Sequence, residues 1–215
     1  MMRLTSTILM LALGGTAAAQ WQVQTSGATS RLRGVCAVDD RTAWTSGAGS
    51  TILLTTDAGA TWRRRPAPDA EDRDYRDVQA FDDRSRIFKT SDGGDPWALK
   101  HINRDASGFL DAIAFWDRNH GLALGDPVDG RFVILATDDG GDTWSRVGLD
   151  MPEALRGEGA FAASGTCLAV QGGRFAWFGT GGGRIFRSED RGRSWTVHTT
   201  PIKGSASSGI FSLAF

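Results

Sequence analysis

The sequence predicts an all-β fold in which one four-stranded sheet unit recurs along the chain, on three observations. An eight-residue pattern, Ser/Thr-x-Asp-x-Gly-x-x-Trp, occurs four times in 215 residues, at Thr55–Trp62, Thr90–Trp97, Thr137–Trp144 and Ser188–Trp195. Its aspartates stand 35, 47 and 51 residues apart, near the spacing of about forty to fifty expected of β-propeller blades. No long segment shows the apolar period of roughly 3.6 residues that marks a helix.

Each copy of the pattern reads as a tight turn followed by an anchor. The carboxylates of Asp57, Asp92, Asp139 and Asp190 can accept N–H groups from the residues just ahead of them. Gly59, Gly94, Gly141 and Gly192 take a positive φ without Cβ strain. Trp62, Trp97, Trp144 and Trp195 open the next strand and offer a large apolar face between neighbouring sheets. These residues are expected to be structural, not catalytic acids or metal ligands.

The strands follow from the turns. The first unit is expected at Leu32–Val38, Thr42–Ser46, Thr51–Thr55 and Trp62–Arg65. The third runs Leu110–Trp116, Gly121–Leu124, Phe132–Thr137 and Trp144–Val147, and the fourth Thr166–Val170, Ala176–Phe178, Ile185–Ser188 and Trp195–His198. The second unit is short: Val78 lies 43 residues after Val35, but Thr90 only 35 after Thr55. The missing stretch falls between Asp83 and Ser85, where a second strand belongs. Trp21–Thr25 resembles a fourth strand with no pattern before it, and Ile210–Phe215 a first strand with nothing after it. The expected architecture is an incomplete propeller, four blades plus partial closing strands. Its simplest account is the N-terminal part of a longer protein of roughly six to eight blades.

Residues 1–19 read as a secretory signal. Arg3 precedes the apolar run Leu4–Leu13, and Ala17-Ala18-Ala19 offers a small-residue cleavage site before Gln20. The run is too short to span a bilayer, and no second one follows. Arg3 leaves with the signal, so 23 basic residues face 25 acidic ones, a net charge of −2. That balance argues against a nucleic-acid partner. Cys36 and Cys167 sit in inner-strand segments of non-adjacent units, which predicts two unbridged, buried thiols. His101, His120 and His198 are scattered, so neither a metal site nor a cofactor is expected.

The repeated pattern is the Asp-box, or BNR repeat, and resembles that of sialidase-type β-propellers. Phe109–Asp117 (FLDAIAFWD) and Asn119–Asp126 (NHGLALGD) resemble the photosystem II stability/assembly factor family, over nearly all of residues 21–215. That resemblance implies an exported, non-enzymatic propeller scaffold whose top face binds a protein partner. The sialidase side of it is weakly supported. Tyr75 is the only tyrosine for a nucleophile, and Arg86-Ile87-Phe88 lacks the proline of an Arg-Ile-Pro motif. No Gly-x-Gly-x-x-Gly opens a helix after a strand, which removes the commonest dinucleotide signature.

Recognition is expected on the loops joining strands two to three and four to one, opposite the Asp-boxes. These are Asp126–Arg131 with Asp129, Gly181–Arg184, and the insertion Leu149–Ser164 carrying Arg156 and Glu158. Arg33, Arg76 and Asp111 stand at the starts of inner strands. The rim so formed suits an exported protein or a glycan. If it were a glycosidase centre, Asp126 and Glu158 are the candidate carboxylate pair.

Overall fold

The computed structural model describes residues 22–65, 75, 86–91, 96–105, 108–162, 165–205 and 208–215. The signal-like segment, Trp21, Arg76, Asp92, Gly94, the expected first strand of the second unit at Val78 and the shortened stretch at Asp83–Ser85 lie outside the described residues.

Among the described residues, fourteen strands form four antiparallel sheets in chain order. The first contains β1 (Leu32–Ala37), β2 (Ala43–Gly47), β3 (Thr51–Thr55) and β4 (Arg63–Arg64). The second contains β5 (Arg86–Lys89) and β6 (Ala98–Ile102), the strands on either side of its Asp-box. The third contains β7 (Leu110–Phe115), β8 (Gly121–Val128), β9 (Arg131–Thr137) and β10 (Ser145–Val147). The fourth contains β11 (Leu168–Gln171), β12 (Phe175–Gly179), β13 (Arg184–Ser188) and β14 (Thr196–Thr199). Each four-stranded sheet is a simple meander, every strand bonded to its sequence neighbour. This is the blade organisation expected from the repeat, and no helix occurs among the described residues.

Three Asp-boxes share one hydrogen-bond scheme. In the third blade the Thr137 hydroxyl donates to Asp139 Oδ1 at 2.8 Å and accepts the Gly141 N–H at 2.8 Å. Asp139 in turn accepts the N–H and the hydroxyl of Thr143, at 2.9 and 2.6 Å. Thr55, Asp57, Gly59 and Thr61 repeat this, as do Ser188, Asp190, Gly192 and Ser194. The residue before each glycine is also left-handed: φ is 58° at Ala58, 73° at Gly140 and 59° at Arg191. Its N–H reaches back to the turn between strands one and two, at Arg41, Asn119 or Arg174. The box therefore ties both turns of one blade edge together.

The blades pack face to face through alternating side chains. Leu122, Leu124, Phe132 and Ile134 of the third blade meet Cys167, Phe178, Phe186 and Trp195 of the fourth in one core. Ile87 joins Leu110, Ile113, Ala123 and Val133 in a second core between blades two and three. Trp44 and Trp97 meet edge to face at 6.3 Å and link blades one and two. Strands β8 and β9 are buried on both faces because their sheet lies between two others. In β12 and β13 burial alternates, because only one face is covered by another blade.

Neither chain-end segment is a strand. Gln24 bends over the first Asp-box, its amide donating to the Ala58 carbonyl at 3.0 Å. At the other end Ile210 and Leu213 donate their N–H groups to Thr180 and Thr166 at 3.1 and 2.9 Å, so this stretch lies along the fourth blade without a ladder. Cys36 and Cys167 are unbridged. Cys36 is only half-buried because its strand lines a cleft of about 760 Å³ walled by the first, second and third blades.

Candidate functional site: the strap over blades three and four

The insertion between β10 and β11 crosses the loop face as a strap, and four of the sequence-predicted site residues converge on it. Glu158 is 7% exposed, and its carboxylate gathers several donors. Arg184 at the start of β13 donates from Nε to Oε1 at 3.0 Å and from Nη2 to Oε2. The Thr180 hydroxyl adds a bond to Oε1, and the Leu155 N–H one to Oε2 at 2.7 Å. Burial pushes this carboxyl upward, but the Arg184, Thr180 and Leu155 donors outweigh it and hold Glu158 below the ordinary glutamate range. The same guanidinium donates to the Glu153 carbonyl at 2.9 Å and lies over the Phe186 ring at 5.0 Å.

The third blade holds the strap from the other side. Arg131 donates to the Met151 carbonyl at 3.2 Å and pairs with Glu153 at 3.2 Å. The Ala154 N–H bonds the Gly130 carbonyl at 2.8 Å. Asp126, half-buried in β8, accepts the Ala160 N–H at 3.0 Å. Desolvation pushes the Asp126 carboxyl up, and the Ala160 N–H only partly opposes that. Met151 and Phe161 sink into the core between the blades, whereas Leu155 and Arg156 face solvent.

The remaining predicted residues stand apart. Asp129 is the exposed, left-handed corner of the β8–β9 turn, at φ 52°. Asp111 is buried on β7, where the register with β8 shifts between Leu110 and Ala112. Arg33 lies half-buried on β1 of the first blade, and Arg76 is outside the described residues. Gly182 and Gly183 form the β12–β13 turn. A Cβ at Gly182 would meet Glu158 at 2.3 Å and one at Gly183 the Ile202 carbonyl at 2.1 Å, so the glycines admit close backbone neighbours. Sequence reasoning missed Glu153 and Thr180, which complete the Arg184 and Glu158 shells. Neither carries a local signal, since their partners lie 31 and 22 residues away.

Among the described residues no group of three or more His, Cys, Asp or Glu side chains could hold a metal ion, and no helix is long and apolar enough to cross a membrane.

A row of Asp-box sheets with a loop-face strap defines a propeller of the BNR class. Residues 80–209 match the family described as photosynthesis system II assembly factor YCF48, and the chain belongs to that family. No curated protein matches the sequence. Among solved structures, one described as YCF48 bound to D1 peptide is 14% identical, with a TM-score of 0.48 over 86% of this chain and 90% of that one. YCF48 from Cyanidioschyzon merolae is 15% identical, with a TM-score of 0.44 over 79% and 85%. The GH74 enzyme of Niastella koreensis is 15% identical at a TM-score of 0.50, over 79% of this chain but 24% of that enzyme. That last likeness is one of fold.

Proposed function

We propose that this chain is an exported, non-catalytic propeller scaffold of the assembly-factor type, which holds a segment of an exported protein on its loop face. The occupancy of the rim carries the non-catalytic part. Glu158, one of the two carboxylates available for acid–base chemistry, is committed to Arg184, Thr180 and Leu155. A general acid or base needs a lone pair or proton directed at substrate, and these donors are internal. Family membership supports a protein ligand. The YCF48 structure bound to a D1 peptide is an instance of that ligand class in a relative. The signal-like residues 1–19 support export. Arg33, on β1, and Arg76, which the sequence alone proposes for an inner-strand start, are the proposed contacts, with exposed Asp129 as a further polar group of the loop face.

The test is capture of an exported protein from the host by the mature chain, with and without Arg33→Glu and Arg76→Glu. Loss of one specific partner in a variant that melts like the parent supports the site. Unchanged capture refutes it.

One observation favours a glycoside hydrolase as a second reading. Burial raises the Asp126 carboxyl, the direction a general acid requires. On that reading Asp126→Asn and Glu158→Gln abolish hydrolysis of an aryl glycoside, and no turnover by the intact protein ends it.

A further inference from the structure

The middle of the strap is seated on the blades by a carboxylate. Of residues 152–160, Glu158 alone is buried. Leu155 is 54% exposed, and Arg156 and Gly157 face solvent. Ala154 and Ala160 add only small apolar contacts with the core, so this stretch gains little from apolar burial. Its larger apolar anchors, Met151 and Phe161, stand at either end.

The socket that receives Glu158 belongs to the fourth blade. Thr180 and Arg184 flank the β12–β13 turn, where the Thr180 N–H donates to the Arg184 carbonyl at 3.1 Å. Phe186, two residues on, lies under the guanidinium at 5.0 Å. Of the groups that donate to the carboxylate, only the Leu155 N–H comes from the strap; Thr180 and Arg184 are blade residues. A buried guanidinium stripped of its anion is strongly disfavoured, so this socket is built to hold a carboxylate. Beside it opens a cleft of about 340 Å³, lined by Arg156, Gly157 and Glu158 on the strap and by Gly181 and Gly182 on the blade. Gly182 keeps that path clear, because a Cβ there would strike the Glu158 carboxylate.

We propose that the strap is an autoinhibitory stand-in for a ligand: Glu158 fills a carboxylate socket of the fourth blade, and a carboxylate of the segment held on the loop face enters by the cleft, replaces Glu158 on Arg184 and Thr180, and lets residues 152–160 lift away. The exchange keeps an anion on Arg184 throughout, whereas opening without a ligand strands the guanidinium. The strap therefore yields to an acid and not to a neutral segment. This inference rests on the reading that the loop face takes a protein segment. The capture assay tests that reading by itself, and the experiment below needs no protein partner.

Calorimetric titration of the intact protein with small carboxylates tests the exchange. N-acetylglutamate α-amide offers only a side-chain carboxylate, N-acetylalanine only a terminal one, and N-acetylalanine amide neither. Glu158→Ala leaves the socket vacant, so it should bind one of the two acids about tenfold or more tighter than the parent does. Whichever acid binds identifies the source of the carboxylate. The neutral amide should bind neither protein, and Glu158→Ala with Arg184→Met should lose the affinity. A Glu158→Ala chain with no affinity for either acid, or a parent that binds as tightly as the variant, overturns the proposal. Hydrogen exchange in the parent keeps the test open if Glu158→Ala fails to fold. Exchange of residues 152–160 should rise with added acid and stay level with the neutral amide. Exchange that is the same with and without the acids would make the strap a fixed part of the fold and end the proposal.

Discussion

Glu158 and Arg184, 26 residues apart in sequence, form a two-point ion pair that fastens the strap to the first residue of β13. The side chains are 1% and 11% exposed, so removing one partner strands a charge in a poorly hydrated place. Arg184→Met should therefore cost about 3–5 kcal/mol, whereas Glu158→Leu with Arg184→Met should cost far less than the single change. Urea unfolding of the single and the double variant measures the difference. Equal losses in the single and double variants would show that the strap does not depend on the pair.

The Asp-box carboxylates predict a specific acid sensitivity. The Thr61 hydroxyl and N–H, then the Thr55 hydroxyl, hold Asp57 down at about 2 from 3.8. The Asn119 N–H and the His120 ring and N–H hold Asp117 at about 2, and Asp139 is lowered by Thr143 and Thr137 in the same manner as Asp57. A carboxylate whose folded value lies below its unfolded one contributes fully at neutral pH and loses that contribution as pH falls through the folded value. The melting temperature should be level near neutrality and drop from about pH 4 to about pH 2. Asp139→Asn should lower it at neutral pH and flatten that drop. A parent melting curve unchanged down to pH 2 would remove the box carboxylates from the account of stability.

The left-handed corners make a second local prediction. Ala58 and Arg191 hold φ values of 58° and 59° where the third blade has Gly140. A side chain there costs roughly 1–2 kcal/mol, offset in part by the extra chain entropy of glycine when unfolded. Ala58→Gly and Arg191→Gly should each stabilise by up to about 1 kcal/mol in chemical denaturation. Gly140→Ala should destabilise, since its Cβ would also meet the Arg118 carbonyl at 2.6 Å. If Ala58→Gly weakens the fold, the loss of chain entropy outweighs the strain.

How far the sequence carries depends on the range of the interaction. Asp57, Gly59 and Thr55 act within five residues of one another, so their pattern predicts both the turn and the strands it joins. The observed β1, β3, β7 and β13 begin or end within a residue or two of expectation. The box also has a member the four-position pattern omits: Thr61, Thr143 and Ser194 supply two donors to the aspartate. Pro96 holds that place in the second copy and has neither an N–H nor a hydroxyl to give. The loop-face residues were legible only as a set of charges. Asp126, Arg131, Glu158 and Arg184 were all picked out, but that they grip one strap depends on the chain returning across two blades. Gln22–Thr25 and Ile210–Phe215 have strand-like alternation and form no strand, because periodicity reports a face to be covered and not a partner to pair with.

The two thiols give a test of the blade order that needs no partner or substrate. Cys36 is half-buried on β1 beside a cleft, and Cys167 has no exposed surface in the core between blades three and four. Thiol reactivity requires access as well as ionisation. Iodoacetamide should therefore modify Cys36 in the native protein, while Cys167 reacts only when the third and fourth blades separate. Peptide mass spectrometry along a urea titration should show Cys167 labelling rising with the global transition and Cys36 labelling already present before it. Because the cysteines lie on non-adjacent sheets, oxidation of the native chain should yield no intramolecular bridge between them. Equal native labelling of both sites would mean that the core built on Phe178, Phe186 and Trp195 is not closed in solution.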